Sequence, residues 1–316
     1  MENNALHLID YIIIAVSLLL SIGIGFLFSK KQNSTGNYFK AGGKIPSWAI
    51  GISILATIVS SITFLAYPGA GYSSNWILLV QGLMVPVVLI FVVWFIVPLY
   101  LKVIGLSVYE YFEKRFGYFA RLYGSIGFVL NIFTGMSTTL FLLALALSEM
   151  THSSTFLILW IIGGSFILIT LLGGMEGVIW LDVVQGLLLV VGGVVCLILI
   201  VNGVDGGLPK IWKVAVENGK TGFGPYDIDF TRLTFIVIAL NGVFYAIQKY
   251  ATDQTMVQRY LTAKSDKSAI RATLMGAILT VPVWMLFMFI GTALFVFYHF
   301  RTGILPADTR PDGVFP

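Results

Sequence analysis

The stretch Gly51–Tyr67, GISILATIVSSITFLAY, decides how the rest of the chain is read. Its flanks are apolar enough for a bilayer, but Thr57, Ser60, Ser61 and Thr63 crowd hydroxyls into its middle. The β-branched residues Thr57, Ile58, Val59, Ile62 and Thr63 fall in the same turns and weaken helix preference slightly. Two readings are open. In one, the helix is continuous and its hydroxyls bond back to its own carbonyls. In the other, the helix breaks near Ala56–Ser60 and exposes carbonyls and hydroxyls at mid-membrane, which only a covering of protein or a wet cavity permits. Broken helices at the midplane are how secondary transporters build ion and substrate sites.

Composition sets the surroundings. The 316 residues are 58% hydrophobic and 11% charged, against about 25% charged in soluble chains. The apolar runs are continuous and about twenty residues long, so the chain reads as an all-α polytopic membrane protein and not as a β-barrel. Eight runs are long enough to span: 11–28, 49–67, 76–100, 122–147, 156–172, 178–201, 233–250 and 272–297. With the N-terminus outside, thirteen Lys and Arg fall on the inner side and six on the outer. That asymmetry predicts a multi-pass protein of the cell's inner (plasma) membrane, N-terminus outside. The first run ends in Lys30 and Lys31, not at a small-residue cleavage site, so it reads as a packing helix and not a signal peptide. Cys196 lies in an apolar run and reads as a small apolar residue.

Along the chain, Pro46 is placed to start the hydroxyl-rich span, and Pro68-Gly69-Ala70-Gly71 to close a short outer loop after it. Span three carries Gln81, either interhelical glue or a ligand. Residues 106–116, LSVYEYFEKRF, form an amphipathic interfacial segment. Asn131, Thr134 and Thr138 share one face of span four. Gly173, Gly174 and Gly177 predict a tight inner loop. Asp182 follows as the single carboxylate inside a span and is a functional candidate on that ground. Alternatively it sits in a helix's first turn, where its charge is worth only ~0.3–1 kcal/mol to the dipole. The 203–229 stretch reads as a polar outer connection. Span seven is interrupted by Asn241-Gly242, a predicted break, and adds Tyr245, Gln248 and Tyr250. Two interrupted spans point to a transporter with inverted repeats. Pro282 predicts a kink in span eight. P-loop, zinc-ligand, nucleophile-elbow and nucleic-acid signatures are all lacking. The chain is therefore read as no enzyme, with a small-molecule solute and the lipid bilayer as partners and no nucleic acid.

Five segments in order then carry a resemblance: YFKAGGKIPSW, ISILATIVSSITFLAYPGAGY, SVYEYFEKRFG, GGMEGVIWLDVVQG and DQTMVQRYLTAKS. Together they resemble the sodium/solute symporter family, which includes sodium/glucose and sialic-acid symporters. The resemblance implies a leucine-transporter-type inverted-repeat fold, here partial. Residues 1–45 would be the extra first helix and a cytoplasmic turn, and 46–202 the first five-helix repeat. Residues 203–229 would be the outer loop, and 230–316 the start of the second repeat. Spans two and seven become the two broken core helices. The resemblance further implies sodium (Na+) as co-substrate, held in part by the carbonyls of Ala56 and Val59, with Asp182 helping to hold or release it. Solute candidates are Ser60, Ser61, Thr63, Gln81, Asn241, Tyr245 and Gln248.

Two departures qualify the resemblance. Sialic-acid symporters carry an Arg on core helix three where this chain has Gly135, so a carboxylate would lack its bidentate partner. A sugar or polyol is the preferred solute on that basis. A sialic-acid or monocarboxylate symporter, or the membrane sensor module of a histidine kinase, is the alternative. Family members also run well past 316 residues and draw two sodium ligands from a later core helix. The chain alone is therefore expected to be an incomplete carrier.

Overall fold

The computed structural model describes residues 7–30, 32–59, 61–104, 107–301, 305 and 314. Thirteen α-helices account for most of them, and an isolated parallel β-bridge joins Ile45 to Ala263. In order these are α1 (Leu8–Ser29), α2 (Thr35–Lys40), α3 (Ser47–Ile58), α4 (Ser61–Ser73), α5 (Leu79–Phe91) and α6 (Val97–Val103). There follow α7 (Tyr109–Phe116), α8 (Tyr118–Thr151), α9 (Thr155–Asn202), α10 (Gly207–Glu217), α11 (Phe235–Ile247), α12 (Gln254–Tyr260) and α13 (Asp266–His299). Two π-helical stretches, Val92–Ile96 and Gln248–Thr252, lie between α5 and α6 and after α11.

Six helical stretches among the described residues are long and apolar enough to cross a membrane. One is α9, whose 48 residues would measure about 72 Å if straight, against a hydrocarbon core of about 30 Å. It is two helices joined at Gly174, where φ is +53°. Before that joint, Gly173 packs on Gly25 of α1; beyond it, Gly186 meets Ile52 and Ala56 of α3, and Gly193 meets Phe287 of α13. Counting α9 twice and adding the α3–α4 pass gives eight, the number expected. All of this makes a multi-pass helical membrane protein.

The core is built on α13, which packs against α3, α4, α5 and α9 and buries Phe287, Met288 and Ile290 completely. Backbones touch along this helix. A Cβ on Gly276 would lie 2.6 Å from the Gly51 carbonyl oxygen, and one on Gly291 1.9 Å from that of Pro68. These glycines let α13 lie flush against both halves of the hydroxyl-rich pass.

Several local expectations are corrected. α4 runs straight through Pro68-Gly69-Ala70-Gly71, so those residues close no loop. The helix stops later, where Ser73 and Ser74 hydroxyls donate back to the Gly69 and Ala70 carbonyls. The 203–229 connection contains α10, which is capped by Gly206 and begins at Gly207, both at positive φ, and buries Ile211 and Ala215. Its polar composition conceals an i, i+4 apolar pair. Finally, α11 is unbroken at Asn241-Gly242. Gly242 serves closeness instead: a Cβ there would come within 2.7 Å of the Gln81 carbonyl oxygen of α5. The break of this pass comes at Asp253, after the π stretch.

Candidate functional site

The hydroxyl-rich pass is broken. α3 ends at Ile58, and Val59 is extended, with ψ 101°. Its N–H makes the last rung of the helix, to the Leu55 carbonyl at 2.9 Å. Among the described residues no N–H continues the ladder to the carbonyls of the last turn. Thr57 turns its hydroxyl back to the Ser53 carbonyl at 2.7 Å, so part of the back-bonded reading also holds.

Beside the break lies a cavity of about 140 Å³ lined by Leu55, Ala56, Val59, Asp182, Gln185, Gly186, Leu189, Val190 and Val283. The three residues expected to hold sodium, Ala56, Val59 and Asp182, thus share one cavity. Asp182 lies two turns past Gly174, not in a first turn, and its side chain is 19% exposed. Its Oδ2 accepts from the Ser53 hydroxyl at 2.5 Å and from Arg259 Nη2 at 2.7 Å. Arg259 Nε also donates to Ser53 Oγ at 2.8 Å, and Nη1 to the Thr255 carbonyl at 2.7 Å. Among the described residues no three His, Cys, Asp or Glu side chains cluster as metal ligands. A cation in this cavity would therefore meet backbone and hydroxyl oxygens and one carboxylate, the donor set a hard alkali ion takes.

The solute candidates are scattered in their surroundings. Ser60 lies outside the described residues, and Ser61 opens α4. Thr63 is buried; Gln81 and Tyr245 are half-buried; Asn241 and Gln248 are exposed. Tyr245 belongs to an aromatic group that sequence reasoning missed. The Trp284 ring lies 5.2 Å from that of Tyr67 and 6.4 Å from that of Tyr245. It fills the space that the missing Cβ of Gly82 leaves. Its Nε1 is buried without a hydrogen-bond partner among the described residues. Pro282, two residues earlier, is the louder sequence signal and hides it. Ser53 and Arg259 were also missed. Ser53 stands one turn before Thr57 on the same helical stripe, a usable signal, whereas Arg259 reads as one of several surface charges. The polar stripe of α8 turns inward on itself: Thr134 and Thr138 hydroxyls bond the carbonyls one turn back, and both residues are exposed.

Known proteins of similar sequence and fold point to one family. The chain is 34% identical to the sodium/sialic acid symporter of Aliivibrio fischeri over all of its own length and 63% of that protein's. It is equally identical to the sodium/sialic acid symporter of Proteus mirabilis, covering 64% of it. The solved substrate-bound, outward-open structure of a Na+-coupled sialic acid symporter, described as revealing a novel Na+ site, superposes with a TM-score of 0.94. That match has 34% identity and spans 98% of this chain and 64% of the other. The chain thus spans somewhat under two thirds of these relatives' length. The model of the sodium:solute symporter family matches residues 38–315, and with the leucine-transporter-type helix break and its adjoining carboxylate on the same residues, the chain belongs to that family of transporters.

Proposed function

We propose that the chain takes part in sodium-coupled symport of a small organic solute by alternating access, the solute being an acidic sugar of the sialic acid class. One observation carries the reading: Ala56, Val59 and Asp182 line a single cavity at a helix break. Carbonyls left without helical partners supply oxygen ligands, and in a membrane each unsatisfied group costs several kcal/mol, so a bound cation also stabilises the break. The carbonyls of Ala56 and Val59 and the Asp182 carboxylate would hold sodium. Ser60, Ser61, Thr63, Gln81, Asn241, Tyr245 and Gln248 would contribute to the solute site. The protein would sit in the plasma membrane with its N-terminus outside, as the lysine and arginine count favours.

The energetics suffice. A tenfold sodium gradient supplies ~1.4 kcal/mol per sodium, and ~100 mV a further ~2.3 per net charge moved. One sodium therefore concentrates an anionic solute about tenfold, a second sodium adds both contributions, and a neutral solute is concentrated about 500-fold by one. The sialic acid class is supported by the two relatives above. Gly135 favours a second reading, a neutral sugar or polyol. It is exposed, and a Cβ there would meet nothing within 4 Å, so neither packing nor a guanidinium occupies the place where a carboxylate partner is expected. Equilibrium binding of radiolabelled sialic acid and of glucose to the purified chain in lipid nanodiscs separates the readings. Sialic acid binding in sodium but not in choline buffer is expected. Binding of glucose alone selects the second reading, and equal binding in the two buffers removes sodium coupling.

A further inference from the structure

We propose that Arg259 is a built-in competitor for the cation of the Asp182 cavity, and that loading the cavity loosens the seating of α12. The proposal rests on the cation reading of that cavity. Two claims are made on the Asp182 charge. Its Oδ2 is held by Arg259 and Ser53. Its Oδ1 has no hydrogen bond among the described residues, and the residue lines the cavity. Arg259, only 7% exposed, is fixed at three nitrogens, to Ser53, Thr255 and Asp182.

The placement matters more than the pair itself. Ser53 lies on α3, before the first break; Arg259 lies on α12, six residues past the break at Asp253. One guanidinium therefore ties both broken passes through one carboxylate. At low effective dielectric, a cation on the open side of Asp182 and the guanidinium on the other repel each other and divide the carboxylate's attraction. Occupancy of the cavity loosens Arg259, and by linkage whatever seats Arg259 weakens cation binding by the same factor. Arg259 is the one charged residue of α12, which is otherwise seated by the burial of Met256, Val257 and Tyr260 and by neutral hydrogen bonds. Gln254 accepts from the Val108 N–H at 2.8 Å, and Gln258 donates to the Phe39 carbonyl at 3.3 Å. The Arg259 tie is thus the part of α12's seating that a cation at Asp182 weakens, while the apolar face of α12 keeps the helix docked.

The test uses the chain in lipid nanodiscs at pH 8, with sodium replaced by choline at constant ionic strength. Two readouts are taken: the sodium concentration giving half-maximal thermal stabilisation, and amide hydrogen exchange across 254–260. Arg259→Gln should lower the sodium midpoint at least fivefold, within the ~5–150-fold range of ordinary coupling. Arg259→Lys, which keeps a tethered charge, should stay near the unaltered chain. Asp182→Asn should remove the sodium effect. In the unaltered chain, sodium should speed exchange across 254–260. An unmoved midpoint in Arg259→Gln, or exchange that sodium slows or leaves unchanged, overturns the competitor. If Asp182→Asn removes the sodium effect and Arg259→Gln does not move its midpoint, the competitor falls and the cation site stands. If sodium and choline act alike on the unaltered chain, the cation site falls as well. The exchange arm needs no variant, so it decides even where Arg259→Gln does not fold.

Discussion

The two broken passes make an instructive pair. Each ends its first helix at an extended residue, Val59 with ψ 101° and Asp253 with ψ 118°. The second break is sealed from within. The Tyr250 carbonyl accepts from the Tyr260 hydroxyl at 2.9 Å, and the Ala251 carbonyl from Tyr100 at 2.5 Å. Asp253 caps α12 through Thr255 N–H and pairs with Lys249 at 2.7 Å. The first break opens on a cavity instead, with a carboxylate across it. An interruption in a membrane helix is therefore not by itself a binding site. Where neighbouring tyrosines supply the donors it is a hinge, and where the oxygens are left facing a space they can serve a ligand.

The strongest way to break the contrast is to leave Asp182 unpaired. Arg259→Met is expected to cost about 3–5 kcal/mol, the usual result of orphaning one member of a buried pair. Adding Asp182→Leu should recover most of that loss, because both charges are then gone. Thermal unfolding in mixed micelles reads both variants. A double variant as unstable as the single one would mean that Arg259 acts through its packing and its Thr255 contact.

A slightly smaller effect concerns what keeps the first break in shape. It has no tyrosine plugs of the second kind among the described residues, but α13 lies flush against both its halves. Gly291→Ala drives a methyl group into the Pro68 carbonyl, backbone against backbone with no flexible side chain to yield. A loss of about 3 kcal/mol, the top of the usual overpacking range, is expected. Gly163→Ala, helical and with nothing within 4 Å of its Cβ, should be neutral or gain up to ~1 kcal/mol from helix propensity. Equal effects at the two positions would show that α13 does not clamp the break.

How much of this was legible depends on the range of the interaction. The first break declares itself locally, through hydroxyls and β-branched residues packed into adjacent turns. Asp182 declares itself as a lone carboxylate in an apolar span. Asn241-Gly242 is the better breaker by composition, but Gly242 is a contact residue, a role visible only once α5 lies against it. The real break had a quieter local sign: Asp253 followed by the apolar Met256 and Val257 is an ordinary helix start. Arg259 was not legible as a site residue, since its partners Ser53 and Asp182 are 206 and 77 positions away. Charge counts place such a residue on a surface, and only the tertiary fold buries it.

The seal on the second break gives a smaller, sharper test. Tyr100→Phe removes the donor to the Ala251 carbonyl, and Tyr260→Phe the donor to Tyr250. Each leaves a buried carbonyl unsatisfied and should cost about 1–3 kcal/mol. Exchange across 250–260 should rise in both, turning a sealed break towards an open one. A change that leaves stability and exchange untouched would mean that water or a neighbouring donor replaces the hydroxyl, and the distinction between the two breaks would lose its basis.

The smallest effect lies at the far end of the first broken pass. Lys220 donates to the Tyr72 carbonyl at 2.7 Å, capping α4, and its ammonium stands 4.2 Å from the centre of the Phe295 ring. Burial lowers its pKa from the ordinary lysine value. A base whose folded-state pKa is depressed costs stability while both states are protonated, and the cost lifts as pH rises through the folded-state value towards the unfolded one. Raising pH from about 8 towards 10, near the ordinary lysine pKa, should therefore stabilise the unaltered chain relative to Lys220→Met, by less than the tyrosine changes. The difference in melting temperature between the two chains, followed across that range, isolates the lysine from every other titrating group. The opposite slope would mean that the attraction of the ammonium for the Phe295 ring and the Tyr72 carbonyl outweighs its burial. The first pass would then be fastened at its outer end by charge as well as at its middle by shape.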